Sequence, residues 1–391
     1  MTIMRWCLAV AVLVPLAVVG AETPVADRPP ATSPAPGPGS SLPPCVTAAV
    51  GAMSLEERVG QVLMVGVSVN APRRLGPLVA RYHLGGVFLS GRSSRPAGDL
   101  RADIVALQRR AAPPLLVAVD QEGWSVQTLK GPDFPVIPAA ERLGGGPRQE
   151  LRRAVADTAG RLAGIGVTVN LGPVADTVPA GLGEGNPPIG AFHRQYGSDP
   201  GPVAEDVRTV VAASQGAGVL TILKHFPGLG RVHANTDTST RAVDRTATAD
   251  DEYLRPFADG MRQGSAGVMI SLASYPRLDP TTIAAFSRPI VTGLLRERLG
   301  YTGLVMSDDL GAADAVESVP DGDRAVRFVD AGGDLVLTIR PQNVSAMTAS
   351  LLAAARRSPV FAARVADAAG HVLQAKYRAH LLGCPAPAAP G

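Results

Sequence analysis

Short apolar runs rich in Val, Ile and Leu recur along this chain, each closed by Gly, Asp or Asn and followed by a longer stretch with helical spacing. That alternation narrows the choice of fold more than any other feature, because a strand, a turn and a helix repeated in order make parallel βα units. Eight runs are present, at 62–67, 86–89, 115–119, 167–170, 219–224, 267–271, 303–307 and 334–339. Eight units close a barrel, so the expected fold class is α/β, a TIM-like (β/α)8 barrel in one domain. An open doubly wound sheet is the alternative, but Val65-Gly66-Val67-Ser68 lacks the Gly-rich first turn of that fold.

Helices are expected at 99–110, 149–164, 202–217, 251–263, 290–299, 343–357 and 360–382, where Ala, Leu, Val and Arg alternate at amphipathic spacing. The 43 Gly and 35 Pro imply many tight loops and exclude a long coiled coil. Hydrophobic residues at 46% against 18% charged exclude a wholly disordered chain. A net charge of +3, scattered along the sequence, gives no reason to expect a nucleic-acid or membrane-surface partner, and a monomer is expected.

The first 21 residues read as a secretory signal. Arg5 supplies the positive start, Trp6 to Val19 the apolar run, and Val19-Gly20-Ala21 the small residues for cleavage. The run falls short of the ~20 residues that span a bilayer, so cleavage is expected rather than membrane insertion. Glu22 stands where a lipoprotein would carry Cys, so no lipid anchor is expected. Residues 22–44, dense in Pro, Ser and Gly, read as a spacer, 45–384 as the folded domain and 385–391 as a disordered tail. Export to the cell envelope or the medium follows. There Cys45 and Cys384, which bracket the folded region, are expected to form a disulfide, worth up to about 5 kcal/mol on the chain-entropy model.

A parallel barrel builds its active site at the C-terminal ends of the strands, which directs attention to the polar residues after each run. Asp120-Gln121-Glu122-Gly123 follows the third, Asn170 to Asp176 the fourth, Lys224-His225-Phe226-Pro227-Gly228 the fifth and Ser307-Asp308-Asp309-Leu310 the seventh. One such Asp alone is as well explained by backbone capping, and Lys224 with Asp120 by a structural ion pair. Together they form a hydrogen-bonding cup suited to a polyhydroxylated ligand, with the carboxylates that glycoside hydrolysis needs.

These motifs, with Ile189-Gly190, Arg194 and Gly197-Ser198-Asp199-Pro200, resemble glycoside hydrolase family 3, and within it the bacterial beta-N-acetylglucosaminidases (beta-N-acetylhexosaminidases). The resemblance spans roughly Ser54 to Leu382. It implies a barrel catalytic domain that needs no metal or organic cofactor. It implies Asp308 as the nucleophile of a retaining mechanism, and Asp120, Arg194, Lys224 and His225 as residues that bind the sugar hydroxyls and the N-acetyl group. The implied substrate is a small oligosaccharide or muropeptide derived from peptidoglycan.

The sequence leaves the family pattern in one loop. Where Asp-x-His is usual, with His as acid/base, the chain reads Asn235-Thr236-Asp237. A carboxyl group of suitable pKa can do the same work, which makes Asp237 the candidate acid/base and His233, earlier on the loop, the alternative. Trp124-Ser125-Val126-Gln127-Thr128 also replaces the usual Gly-Arg-Val-x-Arg, and Leu272 a common His. A non-catalytic glycan-binding barrel, or a beta-glucosidase or phosphorylase of the same family, are the competing readings.

Overall fold

Eight parallel strands close on themselves in chain order in the computed structural model, which describes residues 42–383. The signal-like segment 1–21, nearly all of the 22–44 spacer, Cys384 and the 385–391 tail lie outside the described residues. The strands are β1 Leu63–Ser68, β2 Gly86–Ser90, β3 Leu116–Val119, β4 Val169–Asn170, β5 Leu220–Phe226, β6 Gly267–Ile270, β7 Leu304–Asp309 and β8 Leu335–Thr338. Each pairs with the next, and β1 closes the ring on β8 through Leu63 opposite Val336. The eight expected runs are these eight strands.

Side chains alternate along every strand, so each run divides into an inward and an outward set. Met64, Leu116, Ala118, Ile222, Met269, Leu304, Met306, Leu335 and Leu337 make one buried cluster, the barrel interior. Their neighbours Leu63, Val65, Val117, Val119, Val268, Val305 and Val336 belong to the other cluster, between sheet and helices. Val thus dominates the helix-facing set, and Leu and Met most of the barrel interior. Space inside is tight enough that β6 begins with glycine: a Cβ on Gly267 would overlap the Ile222 side chain.

The helical layer comprises α1 Pro44–Ala52, α2 Leu55–Gln61, α3 Gly76–Tyr82, α4 Ala97–Gln108, α5 Arg148–Gly164, α6 Pro200–Gly216, α7 Arg255–Arg262, α8 Asp321–Asp330, α9 Val344–Arg357 and α10 Pro359–Arg378. Two expected helices differ from expectation. The 251–263 stretch breaks into a 3-10 turn at Glu252–Leu254, capped by Asp251, and then α7, because Pro256 in the first turn of α7 has no N–H to continue the ladder. The 290–299 stretch is a π-helix over Pro289–Arg298, ending with Leu299 N–H donating to the Leu294 carbonyl five residues back.

α1, α2, α3 and α8 were not foreseen. α8 carries Gly322 in its first turn, a poor helix former, but a Cβ there would strike Ser350 of α9, so close packing explains the glycine. Val372 and Ala375 of α10 join the barrel-interior cluster and seal its N-terminal mouth. Beside them Asp334, fully buried at the start of β8, is ringed by Arg296 at 2.5 Å, Arg364 and His371.

Candidate active site

The two strands richest in polar residues each carry a β-bulge at the C-terminal end. Between β5 and β6 the register steps from Leu223 opposite Val268 to Phe226 opposite Ile270, which leaves one extra residue at Lys224-His225. Between β7 and β8 it steps from Met306 opposite Leu335 to Asp309 opposite Leu337, which leaves one extra at Ser307-Asp308. A bulge breaks the alternation of faces and re-aims side chains. Adjacent Lys224 and His225 accordingly both line the same cleft, as do adjacent Asp308 and Asp309.

That cleft, about 570 Å³, opens at the C-terminal end of the barrel. Asp120, Arg194, Lys224, His225, Asp237 and Asp308 all contribute to its wall, so most of the expected site residues converge. His233 is exposed on the same loop as Asp237 but is not part of the cleft wall.

Charges in the cup are matched in a chain. Lys224 Nζ donates to Asp120 at 2.6 Å and contacts Glu122 at 2.5 Å, and Arg194 donates two bonds of 2.8 Å to the Glu122 carboxylate. Burial pushes the Lys224 ammonium down, but the two carboxylates outweigh it and raise its pKa. Burial likewise opposes the charge of Glu122, yet Arg194 and Lys224 hold it at about 2. Lys224, Glu122 and Arg194 are therefore ionised at neutral pH, and the cleft presents an array of charged hydrogen-bonding groups. Arg194 is further fixed by donating to the Pro188 carbonyl, in a loop that buried Asn186 ties to the loop after β5 through bonds to Leu229 and Val232.

His225 is positioned by Asp176. The fully buried Asp176 carboxylate accepts from Leu229 N–H at 2.7 Å and from His225 N–H, and lies 2.7 Å from His225 Nδ1. An acceptor-only carboxylate assigns the proton to Nδ1 and leaves Nε2 for the cleft. Glu122 and Asp176 were quoted in the motifs without a role. Neither has a basic neighbour in the sequence, so only the fold reveals what each one orients.

Asp308 sits at the cleft floor. Enclosure raises its pKa to about 6, with His225 pulling it down and Asp237 pushing it up. Asp309 turns to the backbone instead: it accepts from Gly311, Ala312 and Ile339 N–H groups at 2.9 to 3.0 Å, pinning the turn after β7. Asp237 is exposed at the mouth, its N–H held by the Asn235 side chain at 3.0 Å. Its carbonyl accepts from Asp314 N–H and that of Thr236 from Ala315 N–H, so the loop is fastened to the segment after β7. A half-buried carboxylate and an exposed one thus line a common cleft together with Lys224 and Arg194. Among the described residues no group of three His, Cys, Asp or Glu side chains is placed to hold a metal ion.

Comparison with known proteins places the chain in a family. The model of the glycosyl hydrolase family 3 N terminal domain matches residues 54–375. The beta-hexosaminidase of Xylella fastidiosa (strain M12) is 38% identical over 259 residues, covering 63% of this chain and 74% of that protein. The crystal structure of a beta-N-acetylhexosaminidase from Beutenbergia cavernae DSM 12333 superposes with a TM-score of 0.81 at 42% identity, over 83% of this chain and 99% of that one. A family 3 beta-N-acetylglucosaminidase from Paenibacillus sp. str. FPU-7 gives a TM-score of 0.77 at 30% identity, over 87% of this chain and 65% of that one.

Proposed function

The chain belongs to glycosyl hydrolase family 3 and is a glycosidase, and from that premise we propose that it releases terminal β-linked N-acetylglucosamine with retention of configuration. The observation that carries the reading is Asp308, aimed into a charged cleft by the bulge in β7 and facing the mobile-proton candidate Asp237 across it.

The steps follow from the groups present. Asp120, Arg194, Lys224 and His225 hold the sugar by its hydroxyls and N-acetyl group, fixing the anomeric carbon over Asp308. The Asp308 carboxylate attacks that carbon while the bond to the leaving oxygen breaks, and the Asp237 carboxyl gives its proton to that oxygen. Water then enters, loses a proton to Asp237 and attacks the same carbon, which releases Asp308. Asp237 is preferred to His233 as acid/base because Asp237 lines the cleft and acts electrostatically on Asp308.

The same reading takes the enzyme to be exported by residues 1–21, to act as a monomer on peptidoglycan-derived fragments or related glycosides, and to carry a Cys45–Cys384 bond. An assay on an aryl β-N-acetylglucosaminide beside the aryl β-glucoside, with and without phosphate, tests it. Hydrolysis of the acetylated compound, lost in Asp308→Asn, is expected. Preference for the glucoside, or a sugar phosphate as product, would contradict it, and no turnover by folded protein would favour a glycan-binding barrel.

A further inference from the structure

We propose that Trp124 and Phe192 form an outer subsite that stacks the rings of the leaving saccharide, so that the preferred substrate is an oligosaccharide extending past the cleft rather than a simple glycoside. The proposal rests on the functional reading above and specifies its substrate class.

A two-stranded hairpin of Gln121–Gly123 and Val126–Gln127 rises after β3, with Trp124 and Ser125 at its tip. Trp124 is 56% exposed and adopts φ of 47°. A large side chain in the left-handed region carries a strain of order 1–2 kcal/mol. Burial of a Trp ordinarily offsets such a cost many times over, but here more than half of the side chain lies in water. Neither packing nor backbone preference therefore accounts for Trp at this position.

The tip is held rigidly and held beside the cleft. Trp124 N–H donates to the Ile137 carbonyl at 2.8 Å, Arg92 Nη2 donates to the Ser125 carbonyl at 2.9 Å, and Ser125 Oγ donates to the Phe192 carbonyl at 3.1 Å. Ser125 and Phe192 both line the cleft, and Phe192 is itself 43% exposed. Phe192, Arg92 and Ser125 thus line the same cleft as Asp120, Lys224, His225 and Asp308, and Trp124 is the neighbour of Ser125 at the exposed hairpin tip. A β-linked pyranose matches these aromatics: its C–H faces are apolar and carry the positive hydrogens that an aromatic face attracts, while its equatorial hydroxyls stay in water. The first sugar satisfies the charged groups, and the following rings meet the aromatics.

The test compares two substrates on the full chain. One is β-N-acetylglucosaminyl fluoride, whose leaving group has no ring, and the other is a β-1,4-linked N-acetylglucosamine tetramer. Trp124→Gly is expected to lower kcat/KM for the tetramer at least tenfold, mainly through KM, and to leave the fluoride within twofold. Phe192→Ala is expected to act in the same direction, and Trp124→Phe to restore most of the loss. The thermal midpoint of Trp124→Gly should not fall, because glycine adopts the left-handed conformation freely. Equal loss on both substrates, no loss on either, or a wild type that ignores the tetramer while cleaving the fluoride would overturn the subsite, and the last two would point to a protein partner for the exposed Trp. Failure to cleave the fluoride would overturn the functional reading and the subsite with it.

Discussion

Asp308 must be ionised to attack, and its pKa near 6 sets where activity begins. The kcat/KM of the wild type should therefore fall as pH drops below about 6, because protonation removes the nucleophile. Asp237 must supply a proton to the leaving oxygen, so Asp237→Asn should reduce the rate on poor leaving groups by roughly 10²-fold or more. An activated aryl leaving group needs little protonation, so its rate should fall far less. An equal loss on both leaving groups, or none on either, would remove Asp237 from the acid/base role. At this scale the sequence named the cleft residues through motifs and left unread the residues that orient them. Asp176 serves His225, and Glu122 serves Arg194 and Lys224, through contacts across 49, 72 and 102 positions of sequence, which no local spacing reveals.

Elements explain how those residues reach the cleft. The strands were legible because their apolar runs are continuous, as buried parallel strands require. The bulges in β5 and β7 were not, since a one-residue slip of register leaves no mark in composition. They are what lets neighbouring residues share a face, so an insertion or deletion there would reverse the side chains that do the chemistry. α8 escaped notice because its Gly322 answers to packing against α9 rather than to helix preference. The base of the barrel supplies a prediction of its own. Asp334, buried among Arg296, Arg364 and His371, is held far below the usual carboxylate range; burial alone would raise it, and the cations prevail. Its stabilising effect is present above pH ~4 and is lost as pH falls through the depressed value. Asp334→Asn should cost about 3–5 kcal/mol in urea unfolding at neutral pH by leaving buried cations unpaired. A loss below 1 kcal/mol would refute the account of this cluster.

Across the whole molecule, the two ends of the described chain meet under the barrel. Lys376 of α10 is fully buried, and its Nζ donates to Gln61 of α2 at 2.6 Å. Burial lowers its pKa to about 7. Between about pH 7 and the ordinary value near 10.4 the unfolded chain binds a proton there that the folded chain does not, so folding stability should rise with pH across that window. Lys376→Met should flatten the rise and stabilise the protein below pH 7 by roughly 1–3 kcal/mol, the residual cost being the unpaired Gln61 carbonyl. An unchanged slope would show that the amine is solvated. The eight-unit pattern made the closed barrel legible, whereas this long-range closure by α10 was not, because a Lys within a helical stretch reads as solvated surface until its neighbours are known.

The central claim is that a glycosyl bond forms on Asp308. The most direct measurement is mass spectrometry of the peptides after brief incubation with a slowly turned-over fluorinated N-acetylglucosaminyl fluoride. A single added glycosyl unit on Asp308, absent from Asp308→Asn, is the predicted result. Steady turnover with no adduct, or an adduct on another carboxylate, would contradict the account.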